Sequence, residues 1–263
     1  MTWLAVWGTA AVCLMMFLLW LVHLPMNNAA IVDFGWAFGL ALLGIGYAIA
    51  GHGWPLRSAL LALMSGIWGL RLALYLLLTR VIGHPEEGRY RVLRRSWKTN
   101  LPLKFLFFFE FQALLDVVLA IPFLLIAVNP SPRLSPFEVM GAALWAVAFF
   151  GELAADAQLS RFKSRPENRG RSCQAGLWRY SRHPNYFFEW LIWMSFAIFA
   201  LGSPRGWLGF LSPALILYFL LRVTGIPATE EQAVRTRGEE YRRYQRTTNA
   251  FIPWFRKTWS AKS

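Results

Sequence analysis

The sequence predicts an all-α polytopic membrane protein, and three observations carry that reading. Hydrophobic residues make up 56% of the 263 and charged residues only 16%, where a soluble domain carries about a quarter charged residues. The apolar residues are gathered into long blocks rather than spread over amphipathic faces. Tryptophans collect near the block ends, where interfacial anchors sit. We read residues 1–263 as a single integral membrane domain of seven transmembrane helices. The spans run over roughly 3–24, 30–50, 56–80, 104–128, 136–160, 184–201 and 206–226, followed by a cytoplasmic tail, 227–263, with an interfacial amphipathic helix.

Each element has its own signal. The block 3–24 has no charge and no basic leader and is too long for a signal-peptide core, so it reads as a retained span. The second span carries Asp33, and its Gly35 and Gly39 have the G-x-x-x-G spacing of close helix packing. The third puts Trp68, Arg71 and Tyr75 on one face. The fourth holds Glu110 and Asp116. The fifth holds Glu152 and Asp156 four residues apart, with Lys163 on about the same stripe. "SRHPNY" opens the sixth: Ser181 or His183 caps, Pro184 takes the first helical position, and Asn185 and Glu189 repeat the four-residue spacing. Pro and Gly punctuate the gaps in "HLPMNN", "GHGWP", "NPSPRLSP" and "GSPRG". In the tail, Thr229 before Glu230 and Glu231 marks a helix start, and Tyr241, Tyr244 and Thr248 form a stripe at helical spacing.

The net charge of +13 is unevenly placed. Loops 80–104 and 161–182 and the tail from Arg222 are rich in Arg and Lys, whereas the opposite side shows only Arg57, Arg133 and Arg205. Seven spans put all three rich segments on one side, the cytoplasm, with the N-terminus outside. The basicity is therefore read as a topological signal of a bacterial inner-membrane protein, not as a nucleic-acid footprint. Cys13 and Cys173 imply no disulfide framework. His23, His52, His84 and His183 lack the H-x-x-H spacings of di-iron or zinc sites, and no metal is expected. Neither a Rossmann nor a P-loop fingerprint is present.

Intramembrane charge is costly, so Asp33, Arg71, Glu110, Asp116, Glu152, Asp156 and Glu189 are functional candidates, although pairing among them to fix helix packing is the plain structural alternative. The polar faces are expected to converge on one cytoplasm-facing cavity under the basic loops. The stretch "GLWRYSRHPNYFFEW" (176–190) crowds arginines, an imidazole and an amide at a helix start, an arrangement suited to phosphates. Asn185 and Glu189 are spaced to hydrogen-bond a polar ring or amide.

That stretch, with "GELAADAQLSRFK", "RGEEYRRYQRTTNAFIPW", "NAAIVDFGWAFG" and "IWGLRLALYLLLTRVIGHPEEGRYR", resembles the bacterial branch of the steroid 5-alpha-reductase-like membrane proteins. The wider superfamily includes sterol reductases and isoprenylcysteine carboxyl methyltransferases. The resemblance implies a seven-helix fold that holds NADPH with its last helices and cytoplasmic loops. The cofactor positions it implies are Glu152, Asp156, Lys163, Arg171, Tyr180, Arg182, His183, Asn185 and Glu189. Asp33 and Arg71 are the implied catalytic positions, with Tyr75 a second candidate donor, and Trp36 and Trp68 line the substrate. The expected reaction is hydride transfer from NADPH to a conjugated C=C bond of a lipophilic enone, steroid- or isoprenoid-like, with Asp33 donating a hydrogen bond to the carbonyl. Arg71 pairing with Asp33 is the structural alternative. Three departures stand out: Phe188 where the usual motif has Gly, Trp68 where steroid-active relatives carry a tyrosine, and Glu230–Glu231 where they use His, Arg and Tyr. Paired glutamates there also occur in the methyltransferases. An S-adenosylmethionine-dependent membrane methyltransferase is the first alternative function, and a non-enzymatic lipid-binding protein the second.

Overall fold

The computed structural model describes residues 1–223 and 225–256. Thr224, in the expected last span, and residues 257–263 of the expected tail lie outside them. The described chain is helical and forms no strand. An isolated bridge pairs Ser181 with Asn249.

Two compact units emerge, Met1–Val139 with Ala197–Ser212, and Met140–Phe196 with Pro213 onward. The first contains helices α1 (Thr2–Met26), α2 (Ile31–Ala50), α3 (Pro55–Leu76), α4 (Gly88–Trp97), α5 (Leu101–Leu119) and α6 (Ile121–Ala127). Helix α2 is its buried centre. Small residues let neighbours approach: a side chain at Gly35 would strike Met16 and Leu19 of α1, and one at Gly39 would strike Asp116 of α5. The G-x-x-x-G pair thus serves two partner helices rather than one. Gly44 meets Ser65 of α3 in the same way.

Three local features redirect this unit. A π-type turn, Leu77–Val81, closes α3 and carries Arg80. Pro122, near the start of α6, breaks the apolar run after α5 and bends it by 45°, because proline removes a donor and crowds the preceding turn. At the start of α3, Arg57 is fully buried against Glu138 and also donates to the carbonyls of Asn129 (2.8 Å), Ser131 (2.8 Å) and Arg133 (2.8 Å). This arginine organises the loop read from sequence as a simple Pro-rich turn.

The second unit holds most of α7 (Pro136–Lys163), the start of α8 (Pro184–Ala200), the end of α9 (Leu211–Tyr218), α10 (Ile226–Arg237) and α11 (Glu239–Thr247). Phe188 of α8 lies against Gly151 of α7, where a side chain would collide with its ring. The bulk added at Phe188 is thus accommodated by a glycine on the facing helix. The tail is two helices, not one: Gly238 breaks it with φ 58 and ψ −129, a conformation that costs any residue with a Cβ. The first begins at Ile226 with Pro227 in its first turn, not at the expected Thr229.

Among the described residues, five helical segments are long and apolar enough to cross a bilayer, and six if the bent pair α5–α6 counts as one span. Helix α8, expected as a span, has 17 residues, about 26 Å at 1.5 Å per residue, against a hydrocarbon core of about 30 Å.

Candidate functional site

The sequence-derived residues divide between the units. Asp33, Trp36, Trp68, Arg71 and Tyr75 belong to the first; Glu152, Asp156, Lys163, Arg171, Tyr180, Arg182, His183, Asn185 and Glu189 all belong to the second.

In the first unit the cluster grows from the start of α2. Asn28 caps its own segment, accepting the Ala30 N–H (3.0 Å), and its amide reaches the carbonyls of Arg80 (3.4 Å) and His84 (3.3 Å). Glu86 accepts the Ala29 N–H (2.8 Å) and both bonds of Arg94 (3.0 and 2.9 Å). The segment after α3 is thereby tied over the first turn of α2. Asp33 sits beneath it and accepts from Arg80 (3.0 Å), from Arg89, and from the Tyr90 hydroxyl (2.6 Å). The Arg89 guanidinium lies 4.8 Å over the Tyr90 ring. Burial, and after it the Asp33 carboxylate, push the Tyr90 hydroxyl well above the usual tyrosine range. The phenol is the donor in its bond to Asp33. Three residues along α2, Trp36 meets the fully buried Trp68 edge-on, with centroids 6.3 Å apart at 82°. Arg71 follows on α3, half-buried, and Tyr75 is 47% exposed.

In the second unit, α7 and α8 bring together part of the expected set. The Asn185 amide donates to Asp156 (3.3 Å), and Glu189, four residues on, accepts from the Trp193 indole (3.0 Å). Glu152 is buried one turn before Asp156. Lys163 and Arg171 are exposed. Just before α8, Ser181 accepts the His183 N–H (3.1 Å) in a local serine turn while its hydroxyl donates to the Phe251 carbonyl (2.8 Å), and the His183 carbonyl accepts the Phe187 N–H of the first helical turn (3.2 Å). Pro184 takes the first helical position as expected.

Arg182 and His183 are used internally. Arg182 is buried, donates to Glu230 (2.6 Å) and the Gln245 carbonyl (3.1 Å), and also reaches the Thr248 carbonyl. His183 Nε2 lies 3.2 Å from the same Glu230 oxygen, and its ring stacks on Tyr186 at 5.3 Å. Gln245 (2.9 Å) and the Tyr241 hydroxyl (3.4 Å) complete the shell of Glu230. Burial works to raise this carboxyl, but hydrogen bonds from His183 and Arg182 and the Arg182 charge hold it down to about 2. The tail stripe points the same way. Tyr241, Tyr244 and Thr248 are buried, and Tyr244 donates to the carbonyls of Trp178 and Ser181 (3.2 Å to the latter). The stripe faces the unit's interior, not a lipid surface. Tyr180 is 38% exposed, and its carbonyl accepts the Trp254 N–H (3.0 Å).

Residues 19–248 match the family described as a protein of unknown function, DUF1295. The chain belongs to the DUF1295 family. The matched stretch runs from inside α1 to the last turn of α11, so it takes in both the Asp33 and the Glu230 clusters of this DUF1295 protein. A relative in fission yeast (Schizosaccharomyces pombe), the uncharacterized protein C594.04c, is 29% identical over 267 residues, covering 89% of this chain and 75% of its own. No solved structure matches.

Sequence reasoning missed Tyr90 and assigned Arg80 and Arg89 only to a topological charge signal. Their partner Asp33 lies 47 residues before Arg80, beyond any helical spacing. The usable signal was an aromatic between arginines in "GRYR".

Proposed function

We propose that this DUF1295 protein is an NADPH-dependent membrane reductase acting on the conjugated C=C bond of a lipophilic, steroid- or isoprenoid-like enone. The observation that carries the reading is the Asp156–Asn185 pair, with Glu189 one turn further along α8, in the same unit as the exposed Lys163 and Arg171. A carboxylate and an amide together offer the acceptor and donor that a nicotinamide carboxamide requires. Lys163 and Arg171 are cations available to phosphates, and arginine adds fork geometry. Arg182 and His183, committed to Glu230, shape this region rather than contact phosphate. NADPH, when bound, supplies the hydride.

In the first unit Tyr90, whose single O–H goes to Asp33, takes the role of donor by redirecting that proton to a carbonyl oxygen, while Arg80 and Arg89 hold the Asp33 charge. The Trp36–Trp68 pair offers an apolar wall for a flat, ring-shaped substrate. The likeness of "LWRYSRHPNYF" to steroid 5-alpha-reductase-like proteins supports the same reading. So does the topology we propose: seven spans with α5–α6 and α8 both crossing, the N-terminus outside, and the basic segments on the cytoplasmic side of a bacterial inner membrane.

The test is thermal unfolding of the detergent-purified protein with NADPH, NADH and S-adenosylmethionine in turn. At about 100 times its Kd, NADPH is expected to add about 2.7 kcal/mol of stability. A second reading, an S-adenosylmethionine-dependent methyltransferase of a membrane thiol or lipid, is favoured by Glu230 and Glu231 following the "RHPNY" helix. Stabilisation by S-adenosylmethionine and not by NADPH selects it. Stabilisation by neither, with lipid bound, selects a non-enzymatic lipid-binding role.

A further inference from the structure

Helix α7 has 28 residues, about 42 Å of helix, and overruns a hydrocarbon core of about 30 Å. On the proposed topology, with α7 entering the hydrocarbon core at Pro136, its last turns, around Gln158 to Lys163, lie level with lipid headgroups. These turns form one wall of a cleft of about 260 Å³ lined by Gln158, Arg161, Phe162, Arg165, Asn168 and Cys173, among others. The other wall is the chain folding back, and hydrogen bonds fix it there. The Asn168 amide donates to the Phe162 carbonyl (2.8 Å), the Leu177 N–H to the Gln158 side chain (2.8 Å), and the Trp178 indole to the Ala155 carbonyl (2.9 Å).

Two guanidiniums line this braced cleft. Neither Arg161 nor Arg165 has a carboxylate partner among the described residues, whereas Arg57, Arg89, Arg94 and Arg182 each hold one. Glu167, in the 3₁₀ turn Pro166–Asn168, is exposed and does not line the cleft. Two exposed arginines without a carboxylate partner among the described residues, sharing the lining with an apolar Phe162, match a phosphate group joined to an apolar body.

We infer that Arg161 and Arg165 clamp a phosphate in this cleft, presented by an anionic lipid headgroup or free in solution. The site uses residues apart from those assigned to NADPH and goes beyond the reductase reading.

Thermal unfolding in detergent tests it with phosphatidylglycerol, phosphatidylcholine and inorganic phosphate as separate probes. Native mass spectrometry reads retained lipid alongside. Phosphatidylglycerol is expected to raise the midpoint more than phosphatidylcholine, and the double variant Arg161→Gln/Arg165→Gln to weaken that response about tenfold. An equal response to inorganic phosphate identifies the free anion as the source; a response to phosphatidylglycerol alone identifies the lipid. Arg169→Gln, outside the cleft lining, is expected to retain the response. The inference is overturned if no phosphate probe acts, if the double variant responds like the wild type, or if Arg169→Gln loses as much as the double variant. NADPH affinity measured on the same double variant separates the two readings, because it is expected to be unchanged.

Discussion

Glu230 shows how a single side chain can hold a segment that composition alone describes as a polar tail. Its carboxyl sits at about 2 in the folded chain against an ordinary 4.5, because His183 and Arg182 bind the ionised form. A folded-state value below the unfolded one means stabilisation that is complete above pH 4.5 and lost as pH falls from there through 2. Glu230→Gln is therefore expected to lower stability at pH 7 by on the order of 3 kcal/mol. The gap between variant and wild type should close across that acid window when unfolding is followed by tryptophan fluorescence. A gap independent of pH would assign the loss to packing instead. Arg171 is the contrasting case, an exposed arginine with no carboxylate partner among the described residues. Its replacement by Ala is expected to leave stability within about 0.5 kcal/mol while weakening NADPH about tenfold or more and NADH little, as calorimetric titration would show. Equal weakening of both would move Arg171 to the pyrophosphate.

Besides the Asn185–Asp156 bond, α8 meets α7 in a tight contact of Phe188 on Gly151, which makes those two positions interdependent. Gly151→Ala is expected to cost about 1–3 kcal/mol by overpacking. In a Phe188→Gly background the same change should be nearly free, a coupling that a double-mutant cycle on thermal unfolding would measure. Additive costs would mean that the helices do not touch there. Much of this element was readable in advance. Pro184 at the first position follows from local chemistry, which depends only on near neighbours, and of the two cap candidates the helix start at Pro184 leaves His183 in the cap position. Breaks were harder to see. Gly238 lies inside a periodic polar pattern and reads as a tolerated helix residue until φ 58 is known. Pro122 sits inside a continuous apolar run, so composition registers one span where the backbone turns by 45°. Likewise the Tyr241, Tyr244 and Thr248 stripe was legible as a face, but not what it faces. A tyrosine stripe has an apolar body and polar tips, and only the carbonyls of Trp178 and Ser181 show that the tips are bonded within the protein.

Taken over the whole chain, sequence conveyed the apolar helical segments best, and what it conveyed least was which charged residues are already bonded. Composition reports that charge is expensive inside a membrane protein; it does not report whether an arginine has spent its donors on carbonyls, as Arg57 and Arg182 have. The count of spans has the same character. Among the described residues five helical segments are long and apolar enough to cross, and the bent α5–α6 pair and the 17-residue α8 decide the parity of the count. Parity makes this testable. If both cross, seven spans put residues 2 and 256 on opposite faces; if only one crosses, six put them on the same face. The basic segments 80–104 and 161–182 and the tail share one side only in the odd case, and the free energy that biases loops rich in Arg and Lys toward the cytoplasm favours it. Single cysteines introduced at Thr2 and Arg256, in a chain with Cys13 and Cys173 replaced by Ser, should therefore differ toward a membrane-impermeant maleimide on intact cells. Position 2 is expected to label and position 256 to label only after lysis. Labelling of both in intact cells, or of neither, would mean an even number of crossings, and one of α5–α6 and α8 would then be a re-entrant or interfacial element.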